Sequence, residues 1–250
     1  MRISSPGSIS KNIILLGRGE SCVYLIDVGE EYVLLGGGMS YIIPDILKQV
    51  DLLGIDERKV TRFIIHHAHF DHVGIIPFFK RRWPHMEILA SRRAKEILSN
   101  PDIVNSIVEQ NMRLLSNQGL EHTADRLGLG VTEIPVDRVV SEGDTIICGD
   151  TCLEVLETPG HSSCSISIYI PRHRILSPSD GGGIPFGSRI LTAASSDFDL
   201  YMRSLRKMEK YVVRFLLSEH HGVSTEEDAR TFITRSIASA EQTRSMIQES

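Results

Sequence analysis

Several features that mark other protein classes are absent from this sequence. No apolar run approaches the ~20 residues that a membrane-spanning helix needs. The amino-terminal segment has no apolar stretch of the kind that forms an export signal. The four cysteines include no C-x-x-C pair, so they do not predict a disulfide framework. We therefore expect reduced thiols, no membrane contact and a cytoplasmic location.

Basic clusters are also missing from the chain. The formal net charge is −5 and no segment is rich in lysine and arginine, which argues against a nucleic-acid surface. Hydrophobic residues make up 41% of the 250 positions, which is enough for a substantial core. No internal repeat or low-complexity tract divides the sequence. We expect residues 1–250 to form a single domain.

The order of predicted elements indicates the architecture. Short apolar runs between residues 12 and 35 predict strands, residues 44–53 predict a helix, and residues 60–66 predict a buried strand. Strands return at residues 131–136 and between residues 144 and 170, and helices follow from residue 197 and over about 225–248. Two halves that each begin with strands and end with helices predict an α/β fold, in which two packed sheets carry helices on the outside.

Residues 92–128 contain no strand pattern. Three stretches with helical spacing, interrupted at Pro101 and Gly119, predict a helical insert. Such an insert could be a lid or a substrate wall, or it could be an outer helical layer, and the sequence leaves these interpretations open. Residues 181–194 are a second candidate for a substrate wall.

One stretch concentrates groups that bind metals. A buried apolar strand is predicted to end at His66, and His67, His69, Asp71 and His72 follow it directly. Imidazole and carboxylate together suit Zn²⁺ or non-haem iron. Because ligands in α/β folds collect at the C-terminal ends of strands, the pattern H-x-H-x-D-H predicts a metal site at this point.

Three further polar features follow predicted strands. They are His161 in Thr-Pro-Gly-His-Ser, Asp180 beside three glycines, and the pair His220 and His221. Each of them alone is more typical of a turn than of a ligand. Strand ends can converge on one edge of a sandwich, so their recurrence favours a joint site with the first motif.

The segments 67–72, 158–162, 179–180 and 221–222 resemble the motifs of the metallo-β-lactamase superfamily, in the same order and over most of the chain. The resemblance implies an αββα four-layer sandwich with a metal site at one edge of the two sheets. It also implies two divalent metal ions. Zn²⁺ is the favoured ion, with Fe and Mn as alternatives.

The resemblance also implies a role for each polar residue. The ligands of the first metal would be His67, His69 and His161. The ligands of the second would be Asp71, His72 and His221, and Asp180 would bridge both ions. His220 is the competing choice for the last ligand, but His221 is preferred because the superfamily places glycine directly after this residue.

The implied chemistry is hydrolysis. Two such ions lower the pKa of a shared water and polarise a carbonyl group. Asp71 and Asp180 are the expected catalytic residues, which orient the nucleophile and carry its proton. The expected substrate is a thioester of the acyl-CoA or glutathione type, an ester or a lactone. The thioester is preferred because the helical insert could wall an acyl pocket.

Two alternatives stay open at this point. One is a mononuclear iron oxygenase similar to persulfide dioxygenases, and the other is a metal-binding protein without a catalytic role. We expect a small-molecule substrate as the partner, with no nucleic acid and no membrane. The sequence neither predicts nor excludes a homodimer.

The chain departs from the superfamily pattern in two places. Many members carry an Asp-x-Gly turn after an early strand, whose aspartate supports the metal loop without ligating. Here Gly36-Gly-Gly38 stands at that place, so the sequence does not say what supports the loop.

Lactonases of the acyl-homoserine type often have tyrosine three residues after the bridging aspartate. Gly183 takes that position here, which disfavours a lactonase.

Overall fold

The computed structural model of the protein describes residues 1–130 and 133–249. Its strands, in chain order, are β1 (Arg2–Ile3), β2 (Gly7–Ser10), β3 (Ile13–Arg18), β4 (Ser21–Asp27), β5 (Tyr32–Leu35), β6 (Val60–Ile64), β7 (Glu87–Ser91), β8 (Arg138–Val140), β9 (Thr145–Cys148), β10 (Thr151–Glu157), β11 (Ile166–Ile170), β12 (Ile175–Ser177), β13 (Ile184–Phe186), β14 (Arg189–Leu191), β15 (Phe215–Ser218) and β16 (Gly222–Thr225). Its α-helices are α1 (Ile43–Leu52), α2 (Ile76–Arg82), α3 (Arg92–Leu98), α4 (Pro101–Asn117), α5 (Glu121–Leu127), α6 (Phe198–Met208) and α7 (Glu226–Gln248).

The strands form two seven-stranded sheets and a separate hairpin of β13 and β14. The first sheet has the order β2-β3-β4-β5-β6-β7-β8, antiparallel up to β5 and parallel from β5 to β8. The second has the order β1-β16-β15-β12-β11-β10-β9, and only β12 and β15 are parallel in it. The parallel pairs need crossover connections, and helices supply them.

The two sheets pack face to face, and successive side chains of β4 alternate between the apolar layer inside the sandwich and the one outside it. Tyr24 and Ile26 lie in the apolar layer between the sheets, which also contains Val155 of β10. Val23 and Leu25, one residue out of phase, lie in the outer layer beneath α1. Because both faces of the strand are covered, its sequence is a continuous apolar run rather than an alternating one.

A third apolar layer lies outside the second sheet. Leu176 and Leu216 of that sheet pack with Tyr201 of α6 and Phe232 of α7. The layers therefore run helices, sheet, sheet, helices, which confirms the predicted αββα sandwich. None of the helices in residues 1–130 and 133–249 combines the length and the apolar character needed to span a bilayer.

Helices α3, α4 and α5 occupy the segment in which the sequence predicts a helical insert. The side chain of Asn111, buried on α4, ties this segment to the loop after β6. Its Oδ1 accepts a hydrogen bond from the Ser40 amide at 2.8 Å, and its Nδ2 donates to the Phe70 carbonyl at 2.7 Å. Asn111 thus satisfies two backbone groups that would otherwise lack a partner.

We expect Asn111→Leu to lower the free energy of unfolding by about 1–3 kcal/mol, because it leaves the Ser40 amide and the Phe70 carbonyl buried without partners. Urea denaturation in the presence of a chelator measures this change without a contribution from bound metal. The control is Asn117→Leu, at the exposed end of the same helix. Equal stability of the two variants would contradict the role of Asn111.

Candidate metal centre

The first motif lies in a loop at the C-terminal end of β6. The strand ends at Ile64, so His66 is not the strand residue that the sequence predicted, and a short 3₁₀ turn carries Phe70–His72. The glycine loop after β5 packs directly behind this turn. Backbone hydrogen bonds run from Gly74 to the Gly38 carbonyl at 2.8 Å and from Ile75 to the Gly37 carbonyl at 3.0 Å. A Cβ atom on Gly37 would lie 1.9 Å from the His72 carbonyl oxygen, so only glycine allows this approach.

Three imidazoles form the first cluster. The Nδ1 atom of His69 lies 3.1 Å from Nε2 of His67 and 3.0 Å from Nε2 of His161, and the two Nε2 atoms are 3.2 Å apart. Nitrogen ligands of one tetrahedral Zn²⁺ lie about 3.3–3.4 Å from each other when each is about 2.0–2.1 Å from the ion. The three nitrogens therefore have nearly the spacing that one ion requires.

A second cluster lies beside the first. The Nε2 atom of His72 is 3.4 Å from Oδ2 of Asp71 and 3.2 Å from Nε2 of His220. The Nε2 atom of His220 is in turn 3.6 Å from Oδ2 of Asp71. These three groups again come close enough together to hold one ion.

The carboxylate of Asp180 lies between the two clusters. Its Oδ2 atom is 3.5 Å from Nε2 of His161 on one side, and 3.2 Å and 3.6 Å from Nε2 of His72 and His220 on the other. Its Oδ1 atom is buried and has no hydrogen-bond partner among the described residues. A buried carboxylate oxygen without a partner is unfavourable, and a cation with its bound water can supply one.

The ring nitrogens that point away from the clusters, here called the far nitrogens, have partners of their own. Nδ1 of His161 donates to the Ala193 carbonyl at 2.7 Å, and Nδ1 of His220 donates to the Glu20 carbonyl at 2.7 Å. A carbonyl oxygen only accepts hydrogen bonds, so the proton sits on Nδ1 and Nε2 faces the cluster. Nδ1 of His67 lies 3.3 Å from the hydroxyl of Ser179, whose φ of +49° turns it towards the site.

Of the residues predicted from the sequence, the structure brings together His67, His69, Asp71, His72, His161 and Asp180. It does not bring His221 to the site, and this prediction is corrected in favour of His220. His221 sits in the tight β15–β16 turn with φ +63°, and its ring lies 5.8 Å from that of Phe186. The left-handed backbone at His221 directs its ring away from the cluster. The glycine that follows serves the turn and does not identify the ligand.

Sequence reasoning missed one buried acid. Glu219 is 2% exposed, and its Oε2 atom accepts a hydrogen bond from Nδ1 of His72 at 2.7 Å. Its Oε1 atom lies 2.9 Å from Nδ1 of His66. The only signal in the sequence is an acidic residue at a strand end, directly before the histidine pair.

The two clusters differ in their electrostatics. Burial lowers the pKa of His67 well below its usual value, so its ring is neutral. Burial also disfavours the charged form of His220, but its hydrogen bonds to Asp180 and Asp71 raise its pKa to about 10. Burial would raise the pKa of Asp180, yet His72 and His220 hold that pKa well below its usual value. A cation entering the second cluster therefore meets ionised carboxylates and displaces protons from imidazoles.

An open cavity of about 690 Å³ leads to the centre. His69, Asp71, His161 and Asp180 lie at its base, and helix α4 forms one wall. Helix α4 of the predicted insert therefore lines this cavity, and its role as a substrate wall stays a prediction. The other predicted wall, residues 181–194, contributes none of the lining residues, although the adjacent Ser195 does.

Comparisons with known proteins agree with this description. A probable metallo-hydrolase of Bacillus subtilis (strain 168), YqgX, is 24% identical over 147 residues, which are 59% of this chain and 58% of that protein. The acyl-coenzyme A thioesterase MBLAC2 of Gallus gallus is 25% identical over 205 residues, 79% of this chain and 69% of its own length. Among solved structures, a metallo-β-lactamase superfamily protein of Sulfolobus tokodaii matches 96% of each chain with a TM-score of 0.69, at 16% identity.

The chain also matches a whole family. The profile of the metallo-β-lactamase superfamily covers residues 16–220, from the third strand to the last histidine of the second cluster. It therefore includes most strands of both sheets and every residue of the two clusters. The chain belongs to the metallo-β-lactamase superfamily of hydrolytic metalloenzymes.

Proposed function

We propose that the protein is a dinuclear metallohydrolase that cleaves a thioester whose acyl group lies in the cavity beside α4. The observation that carries this proposal is the position of Asp180, whose Oδ2 atom is shared by two ligand clusters at the base of an open cavity. Two clusters that share a carboxylate suit a pair of divalent ions. The all-N/O donor set suits Zn²⁺, with Fe and Mn as alternatives.

The proposed ligands follow from the two clusters. The first ion is held by three histidines and the second by Asp71 and two histidines, with Asp180 common to both. The complete proposed set is His67, His69, His161, Asp71, His72, His220 and Asp180.

When bound, such a pair of ions lowers the pKa of a shared water towards neutrality and polarises a carbonyl oxygen. The protein's own groups orient the reaction. Asp71 lines the cavity, and the neighbouring imidazoles keep both Asp71 and Asp180 ionised. Both carboxylates can therefore accept hydrogen bonds from the attacking water and carry away its proton. A thiol leaving group has a pKa near ~8.5, so it departs as a thiolate without a protein acid.

The cavity wall favours an acyl group over a charged substrate. Ile103 and Ile107, four residues apart on α4, form an apolar stripe, and Ser106 and Gln110 form a polar stripe beside it. Phe70 adds to the apolar side. The described lining contains no lysine or arginine, so it offers phosphate groups no cationic side chain, and the phosphates of a CoA group would lie outside it.

Two further observations support the proposal. The relative from Gallus gallus carries the name of an acyl-coenzyme A thioesterase. The four cysteines are all free thiols, and this supports the proposed cytoplasmic setting.

The direct test combines elemental analysis of the purified protein with an activity panel. The panel contains acyl-CoA esters of several chain lengths, a glutathione thioester, a lactone and a phosphodiester. The proposal predicts two metal ions per chain and thioester turnover that a chelator abolishes and added Zn²⁺ restores. One iron per chain with oxygen uptake would instead support the oxygenase, and no turnover by the metal-loaded protein would support a non-catalytic role.

His220→Ala should remove one ion per chain, because the second cluster loses one of its two imidazoles. His221→Ala is the matched control, since its ring lies outside both clusters, and it should keep two ions. Elemental analysis of the dialysed variants measures the difference. Loss of metal in His221→Ala alone would restore the assignment made from the sequence.

Asp180→Asn should weaken both sites, because a neutral amide replaces the shared anionic oxygen. We expect metal content to fall and kcat to drop by about 10²–10⁴-fold, the range typical of a lost proton-transfer group. Metal content and kcat are measured on the same preparation. Near-normal values of both would refute the bridging role.

Ile103→Trp should shorten the acyl chain that the enzyme accepts, because the larger ring fills the apolar stripe of the cavity. We expect kcat/KM to fall about tenfold for a long acyl-CoA and little for acetyl-CoA, since each excluded methylene is worth about 0.8 kcal/mol. Leu53→Trp is the control, because Leu53 is 39% exposed against 38% for Ile103 and lies outside the cavity. An equal effect of both variants on all chain lengths would contradict the acyl pocket.

A further inference from the structure

Glu219 occupies an unusual position for a carboxylate that is not in either ligand cluster. It is 2% exposed and follows β15 directly, in the turn that leads to β16. Its backbone carbonyl accepts a hydrogen bond from the Cys22 amide at 2.8 Å, so β4 of the first sheet fixes its main chain. Carboxylates are rarely buried to this extent unless they have specific partners.

The partners of this carboxylate are two imidazoles. Oε2 accepts from Nδ1 of His72 at 2.7 Å, and Oε1 lies 2.9 Å from Nδ1 of His66. His72 turns its other nitrogen, Nε2, towards Asp71, Asp180 and His220. Because a carboxylate only accepts hydrogen bonds, His72 carries a proton on Nδ1, and its Nε2 atom faces the second cluster.

The space for this carboxylate comes from a glycine. A Cβ atom on Gly36 would lie 3.0 Å from Cγ, Cδ and Oε2 of Glu219, which is closer than ordinary van der Waals contact. Gly36 also has φ +87°, a conformation that side chains other than glycine rarely adopt. The glycine loop after β5 therefore leaves a slot behind His72, and a side chain from the second sheet fills it.

From this geometry we infer that Glu219 is a positioning residue for the second metal site. It sets the tautomer and direction of His72, and His66 lies beside its other oxygen. Glu219 also precedes His220 in the chain, so the same turn places one ligand of the second cluster and the support of another. The first cluster has separate supports at Ala193 and Ser179. The second site should therefore depend on Glu219 and the first should not.

This inference rests on the ligand assignment in the proposed function, and it is tested by metal binding without substrate. Zn²⁺ affinities of both sites are measured by competition with a chromophoric chelator, in the wild type and in Glu219→Gln. The amide has nearly the same shape but no charge, so the fold is expected to persist. We expect second-site affinity to fall about 10–100-fold and first-site affinity to change less than twofold.

A spectroscopic readout separates positioning from packing. In the Zn²⁺-loaded protein with ¹⁵N-labelled histidine, NMR should show His72 protonated at Nδ1 in the wild type, and this signal should shift in Glu219→Gln. A matched control is Glu31→Gln, which removes a carboxylate that pairs with Arg62 and belongs to neither cluster. It should alter neither the signal nor the second-site affinity.

A relocation variant tests whether the charge is what matters. The double variant Gly36→Asp with Glu219→Ala places a carboxylate in the same slot from the first sheet. We expect its second site to bind Zn²⁺ at least tenfold more tightly than the second site of Glu219→Ala alone. If the double variant does not fold, Glu219→Gln decides the question alone. The inference is overturned by unchanged second-site affinity in Glu219→Gln, by equal losses at both sites, or by a folded double variant without recovery.

The outcomes separate the two proposals. A wild-type protein that binds two Zn²⁺ ions but hydrolyses no member of the panel contradicts the proposed activity and leaves the role of Glu219 intact. A wild-type protein that hydrolyses thioesters while Glu219→Gln binds both ions normally contradicts the role of Glu219 alone.

Discussion

Seven side chains with metal-binding atoms meet at one edge of two sheets, and the rest of the structure depends on this close approach. Lone pairs and carboxylate charges held 3.0–3.6 Å apart repel one another unless protons or cations lie between them. The chain must therefore hold these groups in place against their repulsion. Rigid strands, short backbone hydrogen bonds and buried partners for the far nitrogens supply that restraint.

The sandwich distributes this task over both sheets. The loop after β6 in the first sheet carries His67, His69, Asp71 and His72, and connections of the second sheet carry the other ligand-type residues. Neither sheet alone contains a complete cluster. The apolar layer between the sheets sets their separation, so packing far from the edge fixes the distance between His67 and His161. Glu219 adds a polar connection across the same boundary, from β15 to the loop after β6.

The cavity beside the centre has a different origin. Helix α4 is attached to the metal loop through Asn111 and turns its stripes of apolar and polar residues towards the open side of the ions' proposed position. In the proposed function, chemistry and substrate choice are thus separated in the molecule. The loops of the two sheets carry the ligand-type residues, and a helical segment between β7 and β8 forms one wall of the cavity proposed for the substrate.

Local patterns in the sequence determined the fold class and most of the centre. Apolar runs covered on both faces predicted the strands. H-x-H-x-D-H predicted residues of both clusters, because its four ligand-type side chains lie within six consecutive residues. The choice between His220 and His221 was not decided by sequence, because the left-handed backbone of the β15–β16 turn sets which ring faces the site. Gly36 indicated only that the usual support of the metal loop was missing. The structure places Glu219 there, 147 residues along the chain from the histidine it contacts, and such a contact exists only once the sheets have packed.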